Sequence, residues 1–368
     1  MKKGLLIIRW TVGLLFIFSG LIKANDPLGL SYKMQEFFEV WNLHGLDSYT
    51  LFFAMVMNVF EVLAGVAVII GWRMRLFSWL LLLLIIFFTF LTGYALFSGK
   101  IKTCGCFGDC LPLTPLQSFE KDIALMILIL VLFLSHRRIE SIVKASLALS
   151  VLLLVTAATT FGQFYVLKHL PLVDCLPYKK GNNILEQMQT PAGAIPDSFS
   201  IVFTYERNGK KVEFDQAHFP EDFDSTYIFQ DRKDKLVKKG NGKVARILDF
   251  SLQTLSGADT TAAVFARQEP YMLVFVKDLN KVDDWASGLE EIAKLAARKK
   301  LTLLMVTADA EKSVARFPDI PILTCDATVI KTAARANPTY FMMRGATVVS
   351  KTSYADADQV IREIQQLP

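Results

Sequence analysis

Three of the chain's five cysteines lie within seven residues, at Cys104, Cys106 and Cys110. The loop that holds them separates two strongly apolar segments, and a fourth cysteine, Cys175, follows another such segment. Thiols this close together can exchange disulfide bonds when they face an oxidising compartment. The chemistry of this loop therefore depends on which side of a membrane it faces.

These four cysteines could form several kinds of site. Two fixed disulfides and a pair that exchanges with a partner are equally well supported, because sequence cannot select among the possible pairings. The spacing C-x-C-x3-C lacks the usual zinc spacing, so we assign no metal. A Cys104–Cys106 disulfide would close a small, strained ring that is easily reduced. We expect Cys104 or Cys106 to lie near Cys175, with Cα atoms less than about 7 Å apart. Cys110 would then be free or act as a resolving thiol.

The elements around the loop are those of a membrane protein. Hydrophobic residues make up 52% of the chain and the mean hydropathy is +0.37. This composition is not typical of a soluble protein of this length. The fourth of five apolar segments spans a membrane only if it begins at Pro115, where Thr114 and Gln117 form a predicted capping box. The five predicted spans cover about 5–22, 51–70, 76–97, 115–134 and 145–167.

Basic residues predict the orientation. With five spans, three basic sites share one side, which the positive-inside rule makes the cytoplasm. The sites are Lys2 and Lys3, Arg73 and Arg75, and Arg137 and Arg138. We therefore expect a multi-pass protein of the bacterial cytoplasmic (inner) membrane, with an uncleaved, cytoplasmic N-terminus. All five cysteines and the C-terminal domain would be periplasmic. The whole chain has a net charge of +5, and its basic residues form no stripe with interleaved aromatics. Nucleic acid is therefore not an expected partner.

Glu61 lies near the middle of the second apolar segment. A carboxylate inside a membrane is a candidate functional group by default, and Arg9 and Lys23 of the first segment are its candidate partners. An ion pair that holds the bundle together and a role in proton or quinone chemistry are equally well supported.

The second half of the chain has the composition of a soluble domain. Period-2 runs at 198–205 and 210–214 flank Asn208-Gly209 and predict a β-hairpin, and runs at 226–230 and 235–239 predict a second one. From residue 244 strands and helices alternate, beginning with a strand at 247–252. We predict three regions: a membrane bundle at 1–170, a linker and hairpin segment at 171–243, and an α/β domain at 244–368. Cys325 follows a short apolar run and is interpreted as a buried small residue.

The first half resembles the DoxX/MauE family of redox-associated membrane proteins. Its cysteine loop resembles the MauE branch most closely. The resemblance implies a four-helix bundle, disulfide chemistry during maturation of periplasmic enzymes and, in the DoxX branch, quinone-coupled oxidation of sulfur compounds. The matching residues are Arg9, Gly13, Phe16, Ser19, Gly20 and Lys23, then Asp26-Pro27, then Asn58, Glu61 and Gly65, and finally Cys104-Gly-Cys106-Phe107-Gly108.

The α/β region resembles the thioredoxin fold of the peroxiredoxin/TlpA type. Asp249-Phe250-Ser251-Leu252 resembles the family's first strand, and Asn337-Pro338-Thr339 resembles its cis-proline loop. After the central strand, where the family carries Cys-x-x-Cys, this chain has Asp278-Leu279-Asn280-Lys281. Without a thiolate there is no nucleophile for disulfide exchange, so we expect the domain to be degenerate.

Taken together, these features predict a multi-domain protein with a five-helix membrane bundle followed by a thioredoxin-like domain. The leading hypothesis is thiol–disulfide or quinone-linked electron transfer that supports maturation of exported proteins, with Cys104, Cys106, Cys110, Cys175 and Glu61 as the reacting residues. The alternative is a non-catalytic assembly factor whose α/β domain binds a partner. Quinone is the one cofactor implied, and membrane lipid and a periplasmic thiol–disulfide protein or exported client are the expected partners.

Overall fold

The computed structural model describes residues 2–101, 105, 107–195, 198–238, 240 and 244–367. The chain forms two compact units, one of residues 1–184 together with 249–368 and one of residues 185–248. The larger unit contains the helical bundle and the mixed sheet, and the smaller unit contains a separate three-stranded sheet.

In the described residues, six α-helices form the N-terminal part. They are α1 (Lys2–Asn25), α2 (Pro27–Val40), α3 (Thr50–Ile70), α4 (Met74–Ser98), α5 (Pro115–Leu134) and α6 (Ala145–His169). Among the described residues, α1, α3, α4 and α6 are long and apolar enough to span a membrane. The helix α5 is not in that set, and it carries Glu120, Lys121 and Asp122 in its second turn. The predicted capping box of α5 is present, with Thr114 and Gln117 bonding each other's backbone.

The smaller unit is a three-stranded antiparallel sheet in the order β2-β1-β3. Its strands are β1 (Ser198–Arg207), β2 (Lys210–Asp215) and β3 (Tyr227–Lys238), and the chain enters this unit through the short helix α7 (Ile184–Met188). The first predicted hairpin is confirmed by the pairing of β1 with β2. The second was wrong, because β3 runs unbroken and pairs along β1 from Tyr227 to Lys238. Its polar run at 231–234 lies in mid-strand, where the exposed side chains of Asp231, Arg232 and Lys233 imitate the composition of a turn.

The α/β region has a five-stranded sheet in the order β6-β5-β4-β7-β8, with β4, β5 and β6 parallel and β7 and β8 antiparallel. Residues 247–252, predicted as a strand, are not one, since Asp249 takes a left-handed φ of 55° that interrupts an extended segment. The cis peptide predicted at Asn337–Pro338 is present. The elements are α8 (Thr261–Phe265), β4 (Tyr271–Val276), α9 (Ala286–Arg298), β5 (Thr302–Thr307), α10 (Ala310–Arg316), β6 (Ile322–Thr324), α11 (Ala327–Ala333), β7 (Thr339–Arg344), β8 (Thr347–Ser353) and α12 (Ala357–Gln365).

Candidate functional site

The cysteine loop is joined to the segment after α6 by a disulfide. The bond links Cys110 to Cys175, with their Cα atoms 4.8 Å apart. Cys175 therefore lies against the loop as predicted, but its partner is Cys110, which we had expected to be free or a resolving thiol. The expected closeness of Cys104 or Cys106 to Cys175 stays a prediction. Cys104 and Cys106 lie outside the described residues. The third cysteine of the loop, Cys110, ends a short 3-10 turn (Gly108–Cys110), and this turn places its sulfur against the segment that follows α6.

Glu61 is buried in the bundle and forms an ion pair with Lys23. Its side chain is 0% exposed and that of Lys23 is 3% exposed. Glu61 Oε2 also accepts a hydrogen bond from Ser19 Oγ at 2.9 Å, and Lys23 Nζ lies 5.1 Å from the centre of the Phe88 ring. The predicted interior position and first-helix partner are thus confirmed. The partner is Lys23, whereas Arg9 donates to the backbone oxygen of Glu140 at 3.5 Å.

Glycines let α1 and α3 approach closely enough to make this pair. A Cβ on Gly65 would lie 2.6 Å from the backbone oxygen of Gly13, and one on Gly20 would lie 3.0 Å from that of Asn58. Small residues at helix crossings allow such contact between backbones in a membrane bundle. The glycines quoted for the family resemblance therefore have a packing role, which is to bring Ser19 and Lys23 within hydrogen-bonding distance of Glu61.

Two further buried polar pairs in the bundle were not singled out from the sequence. Asn58 donates to Gln163 Oε1 at 3.0 Å, which joins α3 to α6. Asp122 accepts from Thr92 at 3.0 Å, which joins α5 to α4. All four side chains are buried. Each of the four is a polar residue inside an apolar helix, which is a sequence signal for a buried polar contact. Of the four, only Asn58 entered the sequence analysis, as one of the residues that carry the family resemblance.

A small cavity of about 40 Å³ lies between Lys23 and the cysteine loop. Gly105 and Gly108 line it on the loop side, and Lys33 and Asp26 line it near the end of the bundle. Ser118 also lines it, and its buried Oγ has no hydrogen-bond partner among the described atoms. A buried water needs roughly 10–15 Å³ of such space, so the cavity has room for about three. Water there would connect Ser118 and Lys23 with the backbone around Gly105.

Arg335 joins the α/β domain to the bundle. It lies in the loop before β7, is 4% exposed, and donates from Nε to both carboxylate oxygens of Asp26 at 2.9 and 2.8 Å. Its Nη2 donates to Asp109 Oδ2 at 3.0 Å, and its guanidinium lies 5.4 Å from the ring centre of Tyr32. Burial opposes the charge of Arg335, but Asp26 and Asp109 outweigh it and raise the pKa of this group. Sequence reasoning missed this residue.

A second buried cation, Lys351 of β8, makes a similar contact with the other cysteine segment. Its side chain is 3% exposed, and its Nζ donates to Asp174 Oδ2 at 2.8 Å. Burial lowers the pKa of Lys351, and Asp174 offsets part of that effect. Nearby, Ser353 donates to the backbone oxygen of Lys168, and His169 Nδ1 lies 2.9 Å from Asp356 Oδ1.

Residues 278–281, where the thioredoxin resemblance implied a Cys-x-x-Cys motif, contain no cysteine and follow Lys277 at the end of β4. Lys277 Nζ donates to the backbone oxygen of Arg335 at 3.2 Å, and Asn337 Nδ2 donates to the backbone oxygen of Asp278 at 2.8 Å. Burial and the charge of Arg335 lower the pKa of Lys277 to about 8. These contacts hold the loop that carries Arg335 against the end of β4.

Cys325 is buried, as expected. Burial raises the pKa of its thiol to about 11, which keeps it protonated and unreactive at neutral pH.

Comparison with known families identifies two stretches of the chain. Residues 1–136 match the family model described as methylamine utilisation protein MauE. This match covers α1 to α5, the buried Lys23–Glu61 pair and the cysteine loop. Residues 1–136 are a MauE-family membrane domain. Residues 199–239, which form the three-stranded sheet, match a model described as domain of unknown function DUF8463. No curated protein and no solved structure matches the chain.

Proposed function

We propose that this protein exchanges disulfides on the outer face of the bacterial cytoplasmic membrane, at Cys104 and Cys106. One observation carries the proposal. The Cys110–Cys175 disulfide uses two of the four cysteines in the loop and after α6, which leaves Cys104 and Cys106 two positions apart on either side of Gly105. Gly105 lines the same cavity as Lys23, whose ammonium group pairs with the buried Glu61. A disulfide between Cys104 and Cys106 would close a small, strained ring, which suits it to exchange.

The proposed exchange balances without a cofactor. Two thiols of an exported client attack the Cys104–Cys106 disulfide in sequence, its S–S bond breaks, and a new S–S bond forms in the client. The loop is left with two thiols, and the reverse reaction with the disulfide of a periplasmic thiol–disulfide protein restores it. The Lys23–Glu61 pair, through water in the cavity, would exchange the protons that the thiols gain and lose.

The cavity also bears on the quinone that the DoxX branch implies. Its volume of about 40 Å³ is filled by about three water molecules, which is less space than a quinone ring needs. This cavity therefore does not fit the cofactor, and we derive no step through it. A protein disulfide is the electron acceptor that the proposal uses.

The orientation rests on the distribution of basic residues along the bundle. Arg73 and Arg75 line one pocket together with His136, Ile139 and Ser141, so two predicted basic sites share one end of the bundle. The disulfide, Asp26 and Asp174 lie at the opposite end, where α1 and α6 finish and α5 begins. We assign the basic end to the cytoplasm. In this assignment α5 is a fifth span, with its charged turn near the outer end.

The order of strands supports a thioredoxin-like α/β domain. Two parallel strands, β4 and β5, lie beside the antiparallel pair β7 and β8, and the last helix follows. Residues 278–281 contain no thiol. In our proposal the domain does not carry out exchange but covers the outer end of the bundle.

A non-catalytic assembly factor is the second candidate. The extensive contact between the α/β domain and the bundle, through Arg335 and Lys351, is what a permanent scaffold would also need. The two candidates differ in whether the loop cysteines change oxidation state during function.

A thiol-trapping gel shift in intact cells tests the proposal. Cells are pulsed with dithiothreitol, allowed to recover, quenched with acid, and alkylated with a maleimide that adds mass. We expect Cys104 and Cys106 to become reduced and then reoxidised within the recovery period. Single replacement of Cys104 or Cys106 with serine should abolish this cycle, while Cys325→Ser, the matched control, should leave it intact. Loop cysteines that keep one oxidation state throughout would favour the scaffold.

A further inference from the structure

Both half-cystines of the Cys110–Cys175 disulfide directly follow an aspartate. Asp109 precedes Cys110, and Asp174 precedes Cys175. Each aspartate pairs with a buried cation of the α/β domain, Asp109 with Arg335 at 3.0 Å and Asp174 with Lys351 at 2.8 Å. We call Asp109–Arg335 and Asp174–Lys351 the two docking pairs. The disulfide thus lies between the two points at which the α/β domain contacts the cysteine segments.

We propose that the α/β domain senses the oxidation state of Cys110–Cys175: it docks most tightly when the disulfide is formed, and its docking makes the disulfide harder to reduce. The two statements are one equilibrium seen from two sides, because linkage between binding and a second reaction is reciprocal. This inference goes beyond the proposed function, since it concerns a disulfide that does not take part in the proposed exchange.

The geometry explains why the docking pairs depend on the bond. Between the end of α4 and the start of α5, the described residues contain one short element, the three-residue 3-10 turn Gly108–Cys110. The disulfide ties this turn to a segment 65 positions away and so fixes the place of Asp109 relative to Asp174. When the bond opens, the loop gains conformational freedom. Asp109 is 49% exposed even when paired, so water readily replaces Arg335 as its partner.

The burial of the two cations determines which oxidation state of the disulfide the docked domain favours. Arg335 and Lys351 are almost fully buried, and a buried cation that loses a carboxylate partner is strongly destabilised. Arg335 keeps Asp26, so reduction should loosen the docked domain rather than release it. The domain therefore favours the oxidised form.

The reduction itself needs an external dithiol. One of its thiolates attacks the Cys110–Cys175 bond and the second resolves the mixed disulfide. The S–S bond breaks, Cys110 and Cys175 each gain a proton, and the dithiol becomes a disulfide. Dithiothreitol provides this chemistry in the test.

The test measures the midpoint potential of this disulfide in the full-length protein. Cys104→Ser/Cys106→Ser is the background, so that Cys110 and Cys175 are the reactive pair. The protein is equilibrated in dithiothreitol redox buffers at pH 7, alkylated, and analysed by mass spectrometry. We expect Asp109→Asn/Asp174→Asn and Arg335→Gln/Lys351→Met each to shift the equilibrium about tenfold toward the dithiol, which raises the potential by about 30 mV. Glu290→Gln, which removes an exposed pair with Arg316 in the same domain, should change nothing.

The sign of the shift separates docking from local electrostatics. Removing an aspartate beside a thiol stabilises the thiolate, whereas removing a nearby cation destabilises it. Local effects alone would therefore move the two variants in opposite directions. Docking moves both in the same direction, toward easier reduction. An unchanged or lower potential for Arg335→Gln/Lys351→Met would overturn the proposal.

Hydrogen exchange provides a second test that leaves both docking pairs unaltered. The segment that follows α6 is hydrogen-bonded to the start of β8 through the backbone amides of Gly181, Ile184 and Val348. Exchange of these amides is measured in the same Cys104→Ser/Cys106→Ser background. We expect these amides to exchange several-fold faster after dithiothreitol treatment. Equal exchange in the oxidised and reduced protein would also overturn the proposal. Neither result depends on the proposed function, because the exchanging cysteines are absent from this background.

Discussion

Arg335 binds both carboxylate oxygens of Asp26, although the two residues are 309 positions apart in the chain. Asp26 is the N-cap of α2, directly after the last residue of α1, and its Oδ1 also accepts from the backbone of Gly29. Arg335 lies two residues before the cis peptide of the α/β domain. A loop of the α/β domain is thus in contact with the chain's own membrane domain.

Replacing Arg335 should weaken this contact strongly. Arg335→Gln leaves Asp26 without its cation and removes the bond to Asp109. Breaking a buried ion pair from one side destabilises a protein by about 3–5 kcal/mol. We expect a loss near the lower value, because Asp26 is partly exposed. Thermal unfolding in detergent measures it.

Arg316→Gln is the control for that experiment. Arg316 pairs with Glu290 on the surface of the same domain, and both side chains are well exposed. Exposed pairs contribute about 0–1 kcal/mol. A loss for Arg316→Gln equal to that for Arg335→Gln would contradict the interpretation of Arg335 as the residue that joins the two domains.

The Lys23–Glu61 pair can be tested by removing both charges at once. Glu61→Gln alone leaves Lys23 buried without a partner, and we expect a loss of about 3 kcal/mol. Lys23→Met/Glu61→Leu replaces the pair by apolar residues of similar size, which is often neutral for stability. We therefore expect the double variant to fold and to be inserted normally, but to lack the disulfide cycle in intact cells. A stable double variant that retained the cycle would assign the pair a purely structural role.

Lys277 should make the stability of the protein depend on pH. Burial, and then Arg335, lower the pKa of Lys277 from 10.5 to about 8, and each pKa unit corresponds to about 1.4 kcal/mol. Below pH 8 the buried charge of Lys277 therefore lowers the free energy of unfolding by about 3 kcal/mol. Between pH 8 and 10.5 the unfolded chain binds the extra proton, so this contribution to stability rises with pH.

Lys277→Met tests this sign. The methionine lacks the bond to the backbone oxygen of Arg335, a loss of about 1 kcal/mol, so we expect a net gain of about 2 kcal/mol at pH 7. The gain should disappear by pH 10, as judged by thermal unfolding at the two pH values. A variant that is less stable than the wild type at pH 7 would show that Lys277 is not held there as an unfavourable cation.

Local patterns predicted much of this fold, and long-range pairing was beyond them. The capping box at Thr114, the hairpin at Asn208-Gly209 and the burial of Glu61 each depend on residues that are near in sequence or on a single apolar helix. The partner of Cys175 was mistaken because the 3-10 turn that places Cys110 has no sequence signal. Arg335 was missed because an arginine in a polar loop normally faces water, and only the docked domain buries it.

The central claim is that Cys104 and Cys106 exchange disulfides with other proteins. It is tested most directly by expressing Cys106→Ser in intact cells, quenching with acid, and isolating the protein under non-reducing conditions. Without its neighbour, Cys104 cannot resolve a mixed disulfide, so we predict covalent adducts that dithiothreitol releases and that Cys104→Ser/Cys106→Ser lacks. Absence of such adducts, together with function equal to that of the wild type, would contradict the account.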